Sequence, residues 1–214
     1  MNTGQMAAEV IRKIQDSSYT SRDVRVAINE GYDEVCAQYE IPMLQKRERV
    51  LAKANTSYAT LPTTYRHSVY KAANLTINDP VNILASRREL ERKYEEVHEE
   101  TGNVRDCAVE GKRLYYRNVP EGDEYLDVWF YGPPPDITAS AESPALFPTH
   151  LHRKLLVYWA CAHFFEEIED DVESDRGNTK WYLTRHDEGL ARLRDWYPQP
   201  SMQHFDRATE YTFF

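Results

Sequence analysis

Pro148-Thr149-His150-Leu151-His152-Arg153-Lys154-Leu155-Leu156-Val157-Tyr158-Trp159-Ala160-Cys161-Ala162-His163-Phe164-Phe165, running on through Glu166 into an acidic stretch that ends at Asp175, is the longest helical pattern in the chain. Leu151, Leu155, Tyr158, Ala162, Phe165, Ile168 and Val172 recur at steps of three and four, which places them on one helix face. Leu156, Trp159 and Phe164 widen that stripe, so burial on more than one side is expected. At about 1.5 Å per residue such a helix would be roughly 40 Å long. It reads as the spine against which the other elements pack.

Upstream, residues 6–15 carry Met6, Val10, Ile11 and Ile14 on one side of a short amphipathic helix. Thr20 or Ser21 can cap a second helix that reaches Tyr39, with Val24, Ile28, Tyr32 and Val35 at helical spacing, before Ile41-Pro42 stops it. The middle of the chain changes character. Strands are expected over 48–52, 56–61 and 65–77, with a turn at Asn78-Asp79-Pro80. Ser86-x-x-Glu89 has capping-box spacing ahead of a charged helix over 86–100. A hairpin over 104–109 and 112–117 turns at Glu110-Gly111, and a further strand over 125–131 ends at Gly132-Pro133-Pro134-Pro135. After an irregular connector (136–147) and the spine, a last helix reaches Trp196 with Tyr182, Leu190 and Leu193.

The expected class is α+β. Helices from both ends form an antiparallel bundle around a strand-rich, antiparallel insert. The boundaries read as an N-terminal helix pair (1–47), the β-rich insert with its one helix (48–135), a C-terminal helical hairpin packing on the first pair (136–196) and an extended C-terminal arm (197–214).

Composition narrows the chemistry. The 214 residues are 41% hydrophobic and 12% aromatic, as in an ordinary globular domain, and the net charge of −9 with a pI near 5.3 argues against gripping nucleic acid through a basic face. Cys36, Cys107 and Cys161 are far apart, in apolar or strand-like settings, and read as reduced core residues with neither disulfide nor zinc spacing. No apolar run is long enough for a membrane span, and the N-terminus does not read as a signal peptide. Phosphate-loop, dinucleotide-turn and nucleophile-elbow patterns are missing.

The acids at 166–175 invite a metal reading, since Asp171-x-Glu173-x-Asp175 resembles the start of a calcium loop. The glycine there, Gly177, falls at the seventh position instead of the sixth, however, and Tyr182 stands where the twelfth-position glutamate belongs. His150, His152 and His163 form no ligand pair with the required spacing. A solvated helix end is the plainer reading, with no catalytic residue, metal or cofactor assigned. The tail beyond Tyr197 carries Met202, Phe205, Tyr211, Phe213 and Phe214, too aromatic for a solubilising end. It reads as an anchor docking onto a neighbour or partner, with folding back onto its own domain as the alternative.

This order of elements resembles the adaptor (head-completion, head-to-tail connector) proteins of tailed bacteriophages, including the tail-tubular-A-like proteins. The features that carry the resemblance are the N-terminal helix pair, Tyr58-Ala59-Thr60-Leu61-Pro62, the Ser86-capped helix, the strand ending in Tyr131-Gly132-Pro133-Pro134-Pro135, and Phe147-Pro148-x-x-Leu151-His152-x-x-Leu155. The resemblance implies a virion protein of the head–tail interface, made in the bacterial host cytoplasm. Such proteins form a homo-oligomeric ring, typically of twelve subunits, between the portal and the next tail component, a nozzle or tail tube. DNA would pass through the lumen without specific binding. Val24, Ile28, Val35, Leu151, Leu155, Tyr158 and Phe165 would then belong to the ring wall, and Tyr197, Met202, Phe205, Tyr211, Phe213 and Phe214 to the portal-gripping arm.

Two other readings stand beside it. One is a DNA-binding or regulatory helical module, which would want a more basic second helix than one pairing Arg22 and Arg25 with Asp23, Glu30, Asp33 and Glu34. The other is a metal-dependent hydrolase built on the acids at 166–175.

Overall fold

The computed structural model describes residues 1–94, 100–170 and 176–197. Among them lie α1 (Thr3–Ile14), α2 (Ser21–Ala37), β1 (Gln45–Ala52), β2 (Tyr58–Thr60), β3 (His67–Asn74), β4 (Asp79–Leu84), α3 (Arg87–Lys93), β5 (Asp106–Glu110), β6 (Arg113–Tyr116), β7 (Glu124–Tyr131), α4 (Tyr158–Asp170) and α5 (Gly177–Leu193). The class is α+β. Contacts divide the chain into a helical unit, Met1–Met43 with Pro134–Gln199, and a β unit built on Leu44–Pro133.

In the helical unit, local chemistry sets each helix start. Asn2 accepts from the Gln5 amide while the Gln5 side chain accepts from the Asn2 amide, and Thr20 and Asp23 repeat that exchange at the head of α2. Met6, Val10, Val24, Ile28 and Val35 are buried. α4 contacts α1, α2 and α5. The close approach to α2 needs Gly31, since a Cβ there would lie 2.7 Å from the Trp159 ring.

The stretch after Pro148 is not one regular helix. A 3-10 turn (Thr149–Leu151) leads into a π-turn (Arg153–Val157), in which the Tyr158 amide reaches back five residues to the Arg153 carbonyl. Leu151, Leu155, Leu156 and Val157 are fully buried, and beyond the turn burial continues at Ala160, Cys161, Ala162 and Phe164, so this segment is covered on more than one side and Ala162 keeps its expected place. Tyr158 and Phe165, placed on the stripe by uninterrupted α spacing, are half-buried instead. Residues 171–175 lie outside the described part, and α5 starts at Gly177.

The β unit is one seven-stranded sheet in the order β1-β7-β3-β4-β5-β6-β2, curled until it is nearly barrel-like. Its inner face buries Val50, Leu61, Val69, Leu114, Leu126, Val128 and Phe130. The insert is not wholly antiparallel, because β4 and β5 run parallel. A parallel pair cannot be closed by a tight turn, and the long connection carrying α3 makes the crossover. β4 itself escaped the sequence reading, because Pro80, taken only as a turn residue, sits within the strand opposite Ala73. α3 stops at Lys93. Tyr94 is already extended and stacks under Arg117, with the guanidinium carbon 4.0 Å from the ring centroid, whereas the sequence pattern expects the helix to run on to residue 100. Residues 95–99 lie outside the described part.

The β5–β6 turn falls on Gly111-Lys112, one residue later than expected, with Gly111 at φ +60. A buried clamp closes one end of the sheet. The Glu124 carboxylate accepts from Asn74 Nδ2 at 2.6 Å and from the Val104 amide at 3.0 Å, which satisfies a charge that burial would otherwise penalise.

Candidate functional site

Chemistry-bearing side chains in the helical unit are mostly committed to holding the fold. His186 on α5 is buried and its Nδ1 lies 3.0 Å from the Leu155 carbonyl, within the π-turn. Burial holds its imidazole below the ordinary histidine range, against an opposing hydrogen bond. His152 sits between the carbonyls of Phe147 and Met1, each 3.0 Å from a ring nitrogen. His163 stacks on Trp159 and lies 3.7 Å from Glu167. Glu169 accepts from the Asn178 amide and from the amide and hydroxyl of Thr179. Burial pushes its carboxyl up, but those Thr179 and Asn178 bonds outweigh it and leave the group below the usual range. Glu169, read as one of a solvated acidic run, is therefore a buried clamp on the start of α5.

Of the acids at 166–175, Glu166 and Glu167 are exposed, and 171–175 fall outside the described residues. Among the described residues no group of three or more His, Cys, Asp or Glu is arranged to hold a metal ion. Burial pushes the thiols of Cys36, Cys107 and Cys161 up, that of Cys161 to about 12, which suits inert core residues and not nucleophiles. No described helix is long and apolar enough to cross a membrane.

Of the residues assigned to a ring wall, Val24, Ile28, Val35, Leu151 and Leu155 come together in the buried part of the helical unit. Tyr158 and Phe165 instead join Trp181 and Tyr182 in an aromatic cluster, with Phe165 and Tyr182 stacked at 5.5 Å. Of the arm, only Tyr197 is described. It is half-buried and its hydroxyl donates to the Leu146 carbonyl at 2.9 Å, so this residue is tied to the helical unit. Met202, Phe205, Tyr211, Phe213 and Phe214 lie outside the described residues.

Charge is divided unevenly. The two segments of the helical unit hold 11 Lys and Arg against 19 Asp and Glu, net −8, while residues 44–133 hold 14 of each, net zero. Within that neutral unit, β1, β7 and β3 present alternate residues on one outer face: Arg47 and Arg49, Tyr125, Asp127 and Trp129, and Lys71. Arg47 and Arg49 both pair with Asp127, which is almost fully buried. From sequence alone Lys46-Arg47-x-Arg49 reads as solvated surface, with a phosphate contact as the alternative. The signal that points beyond this is the alternation, since Arg-x-Arg in one strand and Tyr-x-Asp-x-Trp in another each put their members on one face.

A basic-aromatic face on one unit and an acidic surplus on the other are features of a protein that works by contact. The class is a structural assembly protein. The model of the SU10 adaptor protein family matches residues 1–208, and the chain belongs to that family, which is a phage head–tail adaptor family. Its role is that of a structural adaptor of the virion. No curated protein matches the chain.

Proposed function

We propose that this adaptor forms a homo-oligomeric ring, typically of twelve copies, which joins the portal to the next tail component and encloses part of the DNA channel. The observation that carries the reading is the family match along residues 1–208. The helical unit supplies the ring wall, and its net charge of −8 suits a passage that repels phosphate and lets DNA slide. The tail grips the portal through Met202, Phe205, Tyr211, Phe213 and Phe214, large side chains that lose little conformational freedom on docking. Because Tyr197 is tied to Leu146, the arm begins after it.

The test is electron microscopy of cognate portal with full-length protein and with protein lacking residues 198–214. The full chain is expected to add a ring to the portal, and the truncated chain to stay folded by circular dichroism yet fail to attach. Truncated protein that still decorates the portal would remove the arm from the contact. A truncated chain that unfolds would show the tail to be part of its own domain.

A further inference from the structure

The outer face of β1, β7 and β3 is built in rows. In the first, Arg47 and Lys71 stand on either side of Trp129, with the guanidinium carbon 4.9 Å and Nζ 4.8 Å from the indole centroid. In the second, Arg49 stands opposite Asp127, whose carboxylate accepts from Arg47 and Arg49 together. In the third, Leu51 and Tyr125 face each other, 36% and 50% exposed. Arg47 and Arg49 keep 57% and 61% of their side-chain surface in solvent despite the ion pair. Half-buried Trp129 and exposed Tyr125, each held in place by stacked cations, form a preorganised contact surface, with three cations set against one carboxylate.

We infer that this face docks on the acidic α2/α4 surface of a second copy of the chain, an inference that rests on the ring reading above. Charge complementarity selects the occupant. The helical unit carries a net −8 where the β unit sums to zero. Its α2 and α4 lie side by side, tied by the Trp159 indole donating to Glu34 at 3.0 Å, and leave Glu30, Glu34, Glu166 and Glu167 exposed. Val26, 50% exposed on α2, gives that surface an apolar contact for Tyr125 and Leu51. Nucleic acid fits less well, because Asp127 sets a carboxylate in the middle of the patch and spends two of its three cations. Two different surfaces meeting make a heterologous contact, the kind that propagates from copy to copy and closes into a ring.

The experiment uses full-length protein, mixed as light- and heavy-nitrogen copies, both free at high concentration and seated on cognate portal. A zero-length carbodiimide cross-linker should give mixed-isotope cross-links from Lys71 to Glu30, Glu34, Glu166 or Glu167, fading as salt is raised. Substituting both arginines would strand Asp127 unpaired, so the disruptive variant is Lys71→Glu. It should lower incorporation beside a neighbour about tenfold. Mixing it with a Glu30→Lys/Glu166→Lys copy should recover much of that loss.

Absence of these cross-links in both states overturns the inference, as does salt-sensitive binding of duplex or single-stranded DNA that Lys71→Glu removes. Wild-type protein that never seats on portal but cross-links as described would sink the adaptor-ring placement and leave the copy-to-copy contact standing. Seating on portal without the cross-links would do the reverse.

Discussion

The two units carry very different net charge, yet among the described residues each buries two carboxylates, one held by neutral donors and one by arginine. The helical unit, with its surplus of acids, buries Glu169 on the Asn178 and Thr179 amides and Glu9 beside Arg153, and ties His186 to Leu155 and Tyr39 to Leu190 at 2.8 Å. The β unit balances its charges and draws carboxylates inward, clamping Glu124 on Asn74 and Val104 and Asp127 on two arginines. Local donors decide whether a carboxylate can be buried, and the net charge of the unit shows only at its surface. The difference makes one surface acidic and the other basic-aromatic, on a single chain.

The sharpest way to break that comparison is to hollow out the β core. Phe130 is fully buried on the inner face, and Phe130→Ala should cost about 3–5 kcal/mol in denaturant unfolding. A loss near zero would mean that the sheet's inner face is not the packed core described. In the helical unit the corresponding weak point is the contact of α2 with α4. Gly31→Ala drives a methyl to within 2.7 Å of Trp159 and should cost about 1–3 kcal/mol, read as a lower thermal midpoint with shifted tryptophan fluorescence.

The smallest expected effect is on pH dependence and concerns His186. Burial lowers its folded value below the ordinary 6.5, so the unfolded chain takes up the proton first and stability falls as pH drops below about 6.5. Above that pH both states are neutral and the contribution is complete. His186→Gln should flatten this part of the stability–pH curve. An unchanged slope would mean that another group titrates there.

The helical unit was the more legible of the two in the sequence. Helix periodicity repeats within a single segment, so Val24, Ile28 and Val35 could be placed without knowing what they touch. Capping at Thr20 and Ser86 is equally local. The order of the sheet is not. β7 lies between β1 and β3, and β4 meets β5 in parallel, pairings decided by distant segments whose sequences carry no mark of one another. Pro80 concealed β4, and the rows across Arg47, Trp129 and Lys71 exist only once three strands are in register. Tyr158 and Phe165 were misplaced for a different reason, since nothing in Arg153-Lys154-Leu155-Leu156-Val157 announces a wider turn.

That wider turn acts as a phase shifter. One added residue turns everything beyond it by about 100° relative to an unbroken helix. Beyond it Ala160, Cys161, Ala162 and Phe164 face inward, while Tyr158 and Phe165 are half-buried and meet Trp181 and Tyr182. A chain shorter by one residue between Arg153 and Val157 would carry every later side chain of α4 to a new bearing. Its acids at Glu166 and Glu167 would then face a different direction, although no residue beyond the deletion had changed.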